Sequence, residues 1–357
     1  TVVLSLGFDC DRPRDAFIVS KEGSEMAERK SNSIIQISNV LNELKLPRTF
    51  FVCGHFLKSM NYKYGSKKLQ QAFDVDNKLV EIADHSYSHN VLKSITTRPD
   101  KIPITPEKVF EEYQLNTKIF DDIFGMSDFH RGYRTPLGHY KGLSGMNNLL
   151  EKMKQVGVKY ISSDLRGPND SINAPLTNLD GTPRQPYWYE NGLLEIPSMG
   201  WQDVVFSPYV SHVAKFENVP KNTPFTYEEI IEYYKSQILN AKKIANDSGK
   251  HYFFGLCQHP YDTSFYFNEG RFFIDLKKIL QEIGGTFSSY DDVDNYLELE
   301  FTPTTATTSY VSGVTYGTFK TFAIKIVMTS ADTTKVPLIK DLSLIHISEP
   351  TRRYAIS

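Results

Sequence analysis

Through residues 1–298, short apolar runs alternate with stretches of helical periodicity, and most of those runs end in a chemically capable residue. Residues 2–8 run into Asp9-Cys10-Asp11, and 79–83 into Asp84-His85-Ser86-Tyr87-Ser88-His89. Residues 129–133 lead to Arg134-Thr135-Pro136-Leu137-Gly138, 158–163 to Asp164, and 251–256 to Cys257-Gln258-His259. Residues 49–52, 193–197 and 286–288 read as further strands. Runs that are apolar on both faces belong in a sheet covered on both sides, which is the signature of parallel strands crossed by helices. Helical spacing is expected over 31–46 (Ile34, Ile37, Val40, Leu41, Leu44), with Pro47 closing it. Thr105 and Pro106 open a helix to about 124, one is expected around 146–156, and Thr226 with Glu229 forms a capping box for a helix to about 245. A last helix spans 272–283 before Gly284-Gly285. Residues 12–30 and 165–190 read as loops. The expected fold is α/β, a distorted (β/α) barrel of about seven strands with its site at the strands' C-terminal ends. An open doubly wound sheet is the weaker alternative, because no glycine-rich phosphate fingerprint follows the first strand.

Forty basic residues against 42 acidic ones give a net charge of −2, so no basic stripe points to nucleic acid. No run is long enough to span a membrane. Cys10, Cys53 and Cys257 each lie in or beside an apolar run and read as buried, reduced thiols rather than a disulfide framework. The chain opens on Thr1 without a Met, and an incomplete N-terminus is expected, which leaves the compartment open. Beyond the catalytic-domain candidate 1–298, residues 299–310 are a linker by composition (Thr302-Pro303-Thr304-Thr305). Residues 311–341 alternate apolar and polar positions as a truncated β-rich segment. Residues 342–357 resemble the conceptual translation of a transposon-type sequencing adapter, and no packed role is expected for them.

Two imidazoles four residues apart, His85 and His89, can grip a divalent ion, and carboxylates two apart on a strand, Asp9 and Asp11, point to the same side. Taken singly, each has an ordinary explanation: a loop cap for either Asp, a surface ion pair for Arg134, a strand-end turn for His259. His55, His130, His139, His212 and His251 have no matching cluster and read as structural or surface residues.

Together, Asp9/Asp11, His85/His89, Arg134 to Gly138 and Leu256-x-x-His259, in that order, resemble the polysaccharide deacetylases of carbohydrate esterase family 4. Thr49-Phe50-Phe51-Val52-Cys53-Gly54 is similar to the family's strand after the first helix. The resemblance implies a distorted (β/α) barrel that removes acetyl groups from N- or O-acetylated polysaccharides, using a divalent metal, often zinc. It implies Asp11, His85 and His89 as metal ligands, Asp9 as general base and His259 as general acid. It further implies Arg134 as the partner of Asp9, the Leu137 N–H as oxyanion donor and Leu256 as lining for the acetyl methyl. Asp164 is the expected acidic group orienting Arg134 or His259, and Trp201, after a strand end, is a candidate either for the substrate groove or for core packing. Two features depart from the common pattern. Cys10 separates the aspartates, and Arg12-Pro13 follows them, as in the branch of some peptidoglycan deacetylases and the metal-independent allantoinases and cyclic-imide hydrolases. The stretch Ser162-Ser163-Asp164-Leu165-Arg166 lacks the usual acidic-plus-Trp pattern. The leading expectation is deacetylation of peptidoglycan or a chitin-type polymer. Hydrolysis of a small cyclic amide is the second expectation, and a non-catalytic carbohydrate-binding component of a larger assembly is the third.

Overall fold

A computed structural model describes residues 1–12 and 21–297, with the dipeptides 342–343 and 355–356. The chain divides into two compact units, Thr1–Tyr296 and Leu297–Ser357. In the second unit the described residues are Leu297 and the antiparallel pair Leu342–Ser343 with Ala355–Ile356. The expected linker, the β-rich segment and the rest of the terminal tail lie outside the described residues.

The first unit runs β1 (Val2–Ser5), β2 (Gly7–Cys10), α1 (Lys21–Glu43), β3 (Arg48–Val52), α2 (Gly54–Tyr64), α3 (Ser66–Phe73) and β4 (Val80–Asp84). It continues through α4 (Pro106–Phe124), β5 (Tyr133–Tyr140), α5 (Asn147–Val156), β6 (Tyr160–Arg166), β7 (Asn173–Ala174), β8 (Tyr187–Trp188), β9 (Leu194–Glu195) and β10 (Gly200–Trp201). It ends with α6 (Val210–Val213), α7 (Tyr227–Ser248), β11 (Tyr252–Gly255), α8 (Pro260–Phe267), α9 (Arg271–Glu282) and β12 (Thr286–Ser288).

Strands β2-β3-β4-β5-β6-β9 form a parallel sheet in that order, with β8 antiparallel beyond β9. The first strand breaks at Leu6. Its first half, β1, pairs with β11 and β12, and its second half, β2, crosses to β3. The ring is completed by single contacts instead of a continuous ladder: Phe8 bridges Gln258, and Met199 N–H donates to Gly255 O at 2.9 Å. That is the mixed, parallel α/β barrel-like architecture expected, distorted at the seam between β9 and β11.

The largest core cluster packs Leu4, Phe8 and Phe50 of the strands against Ile37, Phe73, Ile238 and Phe273 of the helices. A second cluster buries Tyr133 and Ile161 beneath Leu149 and Met153 of α5. All three cysteines are buried and none is in a disulfide. Helix α4 begins at Pro106 with Thr105 capping Lys108 N–H, and α7 carries the full Thr226/Glu229 capping box.

Several boundaries differ from the sequence reading. Residues 21–30 are helical, because Ala27, Ser31 and Ile34 continue the buried face of α1. β5 starts at Tyr133, leaving Phe129 59 % exposed ahead of it. β6 extends through Arg166, so the expected loop 165–190 begins inside a strand and also holds β7 and β8.

Candidate active site

Asp9 lies in β2 and Asp11 follows its end, both 4 % exposed. Asp9 Oδ1 accepts from Arg134 Nη1 at 2.8 Å. The guanidinium reaches across the barrel from β5, donating also to Ser162 Oγ (3.3 Å) and Ser198 Oγ (3.4 Å). It lies over the Phe51 ring at 3.9 Å and near Tyr290 at 4.8 Å. Gly7 makes room for it, since a Cβ there would meet Arg134 Nη1 at 2.9 Å and Leu256 O at 2.8 Å. Burial pushes the Asp9 pKa up, but Arg134 first, then His85 and His259, more than offset it and hold the carboxyl below its ordinary range.

The histidine loop is fixed from two sides. Asp84 Oδ1 accepts from Ser86 N–H at 2.7 Å and Asn116 Nδ2 at 3.1 Å, while Oδ2 pairs with Arg131 at 2.7 Å. From α4, Glu112 accepts from the backbone of Tyr87 and Ser88 and from Ser88 Oγ. Ser86 and His89 take left-handed backbone angles (φ 62° and 57°), folding the loop so that both imidazoles approach the aspartates. His85 Nδ1 is 2.9 Å from Arg134 O, which makes Nδ1 the donor and leaves the lone pair on Nε2. That buried Nε2 has no hydrogen-bond partner among the described residues, with Asp9 Oδ2 3.6 Å away. His89 Nε2 lies 2.9 Å from Asp11 Oδ2. One donor atom each from Asp11, His85 and His89 lies within 4.8 Å of the others. An orphaned buried nitrogen beside a second imidazole and a carboxylate fits a borderline-soft divalent cation, and the expected ligand set meets at one place.

Across from it, His259 Nε2 is 3.8 Å from Asp11 Oδ2. Its Nδ1 is 2.9 Å from Asp203 Oδ1, and its backbone N–H donates to Asp203 Oδ2 at 2.6 Å. Burial opposes the charge on this ring, but Asp203, and then Asp11 and Asp262, push its pKa up to about 10. Asp203, His259 and Asp262 form a second trio of potential metal donors. With Asp203 already accepting twice from His259, the arrangement is that of an oriented, protonated imidazole.

Three expected residues sit elsewhere. Asp164 touches neither Arg134 nor His259; its carboxylate pairs with Arg184 at 2.8 Å and accepts from Lys141 N–H at 3.2 Å. Asp203 takes the orienting place, and the signal for it was a carboxylate two residues past Trp201, following a strand end like the other site residues. Leu256 packs in the main core cluster and its neighbour Cys257 lines the cavity instead, with Sγ 3.5 Å from Asp9 Oδ2. The seam between β11 and the Phe8–Gln258 bridge decides which side chain faces in. Trp201 packs against the core, and Gln202 and Val204 reach the cavity wall. Leu137 does line the cavity, in a left-handed conformation at φ 62°.

The cavity has a volume of about 770 Å³ and opens over Asp9, Asp11, His89 and His259. Its mouth carries exposed Ile102, Tyr209 and Phe216. Arg98 lies over the Phe216 ring at 4.6 Å. Lys30, a residue the sequence reading left in a loop, also reaches this cavity from α1. No helix among the described residues is long and apolar enough to cross a membrane.

Residues 26–161 match the family model described as polysaccharide deacetylase. No curated protein matches the chain. Among solved structures, a Mycobacterium smegmatis protein designated a polysaccharide deacetylase by inference is similar at 17% identity and TM-score 0.53, over 83% of this chain and 89% of that one. The Puue allantoinase is similar at 13% identity and TM-score 0.50, over 83% and 89%. A GH57-type branching enzyme from Pyrococcus horikoshii is similar at 12% identity and TM-score 0.51, over 83% and 70%. At such identities these likenesses speak for the fold alone.

Proposed function

From the match of residues 26–161 to the polysaccharide deacetylase family model, we propose that this chain is a metal-dependent hydrolase removing acetyl groups from an N-acetylated polysaccharide, of peptidoglycan or chitin type. One observation carries the reading: Asp11, His85 and His89 bring donor atoms within 4.8 Å of one another, with Asp9 Oδ2 3.6 Å from His85 Nε2 and His259 Nε2 3.8 Å from Asp11 Oδ2. Asp11, His85 and His89 would hold the ion, for which zinc is our expectation. When bound there, a divalent cation supplies a Lewis acid that polarises an acyl carbonyl.

The chain's own groups do the proton work. Asp9, kept ionised by Arg134, takes a proton from the attacking water. His259, charged at neutral pH and steered by Asp203, gives a proton to the departing amine nitrogen. Leu137, which lines the cavity, would offer its N–H to the charge developing on the carbonyl oxygen. The balance is water plus amide giving acetate plus free amine. A cavity of about 770 Å³ with aromatic side chains at its mouth suits a sugar chain better than a single small ring.

The test is acetate release from N-acetylglucosamine oligomers and from peptidoglycan, before chelation, after chelation and after zinc is restored. Release that stops with chelation and returns with zinc is expected. Turnover of allantoin by metal-stripped protein would overturn the proposal in favour of a cyclic-amide hydrolase. Sugar binding without turnover, unchanged in Asp9→Ala, would make the site a binding module.

A further inference from the structure

Lys30 is the least expected group at this centre. It sits on the inward face of α1, 7 % exposed, on the spacing Ala27, Lys30, Ser31, Ile34 that faces the core. Its Nζ lies 3.5 Å from Asp11 Oδ1 and it lines the same cavity as the catalytic groups. The other oxygen of that carboxylate, Oδ2, faces His89 Nε2 at 2.9 Å and His259 Nε2 at 3.8 Å. One carboxylate thus divides its two oxygens, with a tethered ammonium on one and the imidazoles on the other.

A buried ammonium is retained only where an anion compensates it, and here that anion is a metal-ligand candidate. We propose that Lys30 is a charge-setting, positioning residue of the metal centre, whose ammonium reserves Asp11 Oδ1 and leaves Oδ2 for the ion. The inference rests on the metal-dependent reading above. Two consequences follow from Coulomb's law. A fixed positive charge beside a ligand opposes the incoming divalent cation, so the site binds metal less tightly than its three donors alone would. It also draws electron density from Asp11, so the bound ion keeps more of its own charge for polarising a carbonyl. Lys30 therefore exchanges metal affinity for Lewis acidity.

The test is zinc affinity of the full chain, measured by competition with a chromophoric chelator, for wild type and for Lys30→Met, Lys30→Gln and Lys30→Arg. Circular dichroism selects the variants that fold, and the glutamine variant serves if the methionine one does not. Lys30→Met or Lys30→Gln is expected to bind zinc at least ~10-fold more tightly, with Lys30→Arg close to wild type. Mere structural damage would weaken binding, so the direction of the change separates charge from scaffold. Neutral variants that bind zinc less than ~10-fold more tightly than wild type overturn the inference. Wild-type protein that takes up no zinc overturns the proposed function instead, which keeps the two failures apart.

Discussion

Two buried aspartates, each paired with an arginine, end up with opposite properties in this barrel. Asp84 ends β4 and Asp9 lies in β2, and their arginine partners stand 2.7 and 2.8 Å away. Asp84 has every oxygen occupied, by Arg131, Asn116 and the Ser86 N–H, and it is the anchor of the histidine loop. Asp9 gives one oxygen to Arg134 and turns the other toward His85 at 3.6 Å and the Cys257 thiol at 3.5 Å, at the cavity wall. Burial dominates at Asp84 and raises its pKa despite Arg131. At Asp9 burial is outweighed by Arg134, His85 and His259 together, and the pKa falls. Depth is similar in both. The surroundings of each carboxylate, and whether an oxygen is left over, separate a structural carboxylate from one available for proton transfer.

The sharpest way to break that distinction is substitution at both. Asp9→Asn is expected to lower kcat by roughly 10²–10⁴-fold, the usual worth of a general base, in steady-state acetate-release assays. A loss under tenfold would remove Asp9 from that role. Asp84→Ala is expected to act mainly on stability, costing about 3–5 kcal/mol in urea unfolding because it strands the Arg131 charge. An unchanged unfolding midpoint would show that the Asp84–Arg131 pair is not the anchor described.

A third expectation concerns the opposite flank. The folded pKa of His259, about 10, is raised above the ordinary value of 6.5. A group raised in the folded state contributes stability fully below its unfolded pKa and loses it as pH climbs through the folded one. Metal-free protein should therefore lose melting temperature between about pH 6.5 and pH 10, and His259→Gln should flatten that slope. A wild-type profile already flat across this window would contradict the Asp203–His259 pairing. The smallest effect is expected at Asp164→Asn, with kcat within ~3-fold of wild type, since its partner is Arg184 and not a catalytic group. Asp203→Asn should lower kcat well beyond that in the same assay.

Much of this was legible in the sequence because strand parity and strand order are enough to gather strand-end residues. Asp9 and Asp11 share a side by the two-residue period, and alternation of strands with helices brings His85, Arg134 and His259 to the same end of the barrel. What escaped depends on side chains meeting across long separations. Asp203 contacts a residue 56 positions away, and its place two residues past a strand end does not tell which residue it meets. Lys30 looked solvated because its neighbours are charged, although Ala27, Ser31 and Ile34 already trace the buried stripe of α1. Helices α2 and α3 carry real spacing (Phe56, Leu57, Met60, then Leu69, Ala72, Phe73) that the polar residues between them mask. Only the resemblance puts Leu256 in the pocket, and in the structure it packs in the core, beside the break in the ladder between Gly255 and Gln258.

The account stands on the convergence of Asp11, His85 and His89 on one ion. Anomalous diffraction from crystals grown with zinc measures that directly. The expected result is a single strong peak within bonding distance of Asp11 Oδ2, His85 Nε2 and His89 Nε2, absent from His85→Ala crystals treated the same way. A zinc-loaded crystal with no peak there, or with its peak at Asp203 and Asp262 instead, would contradict it.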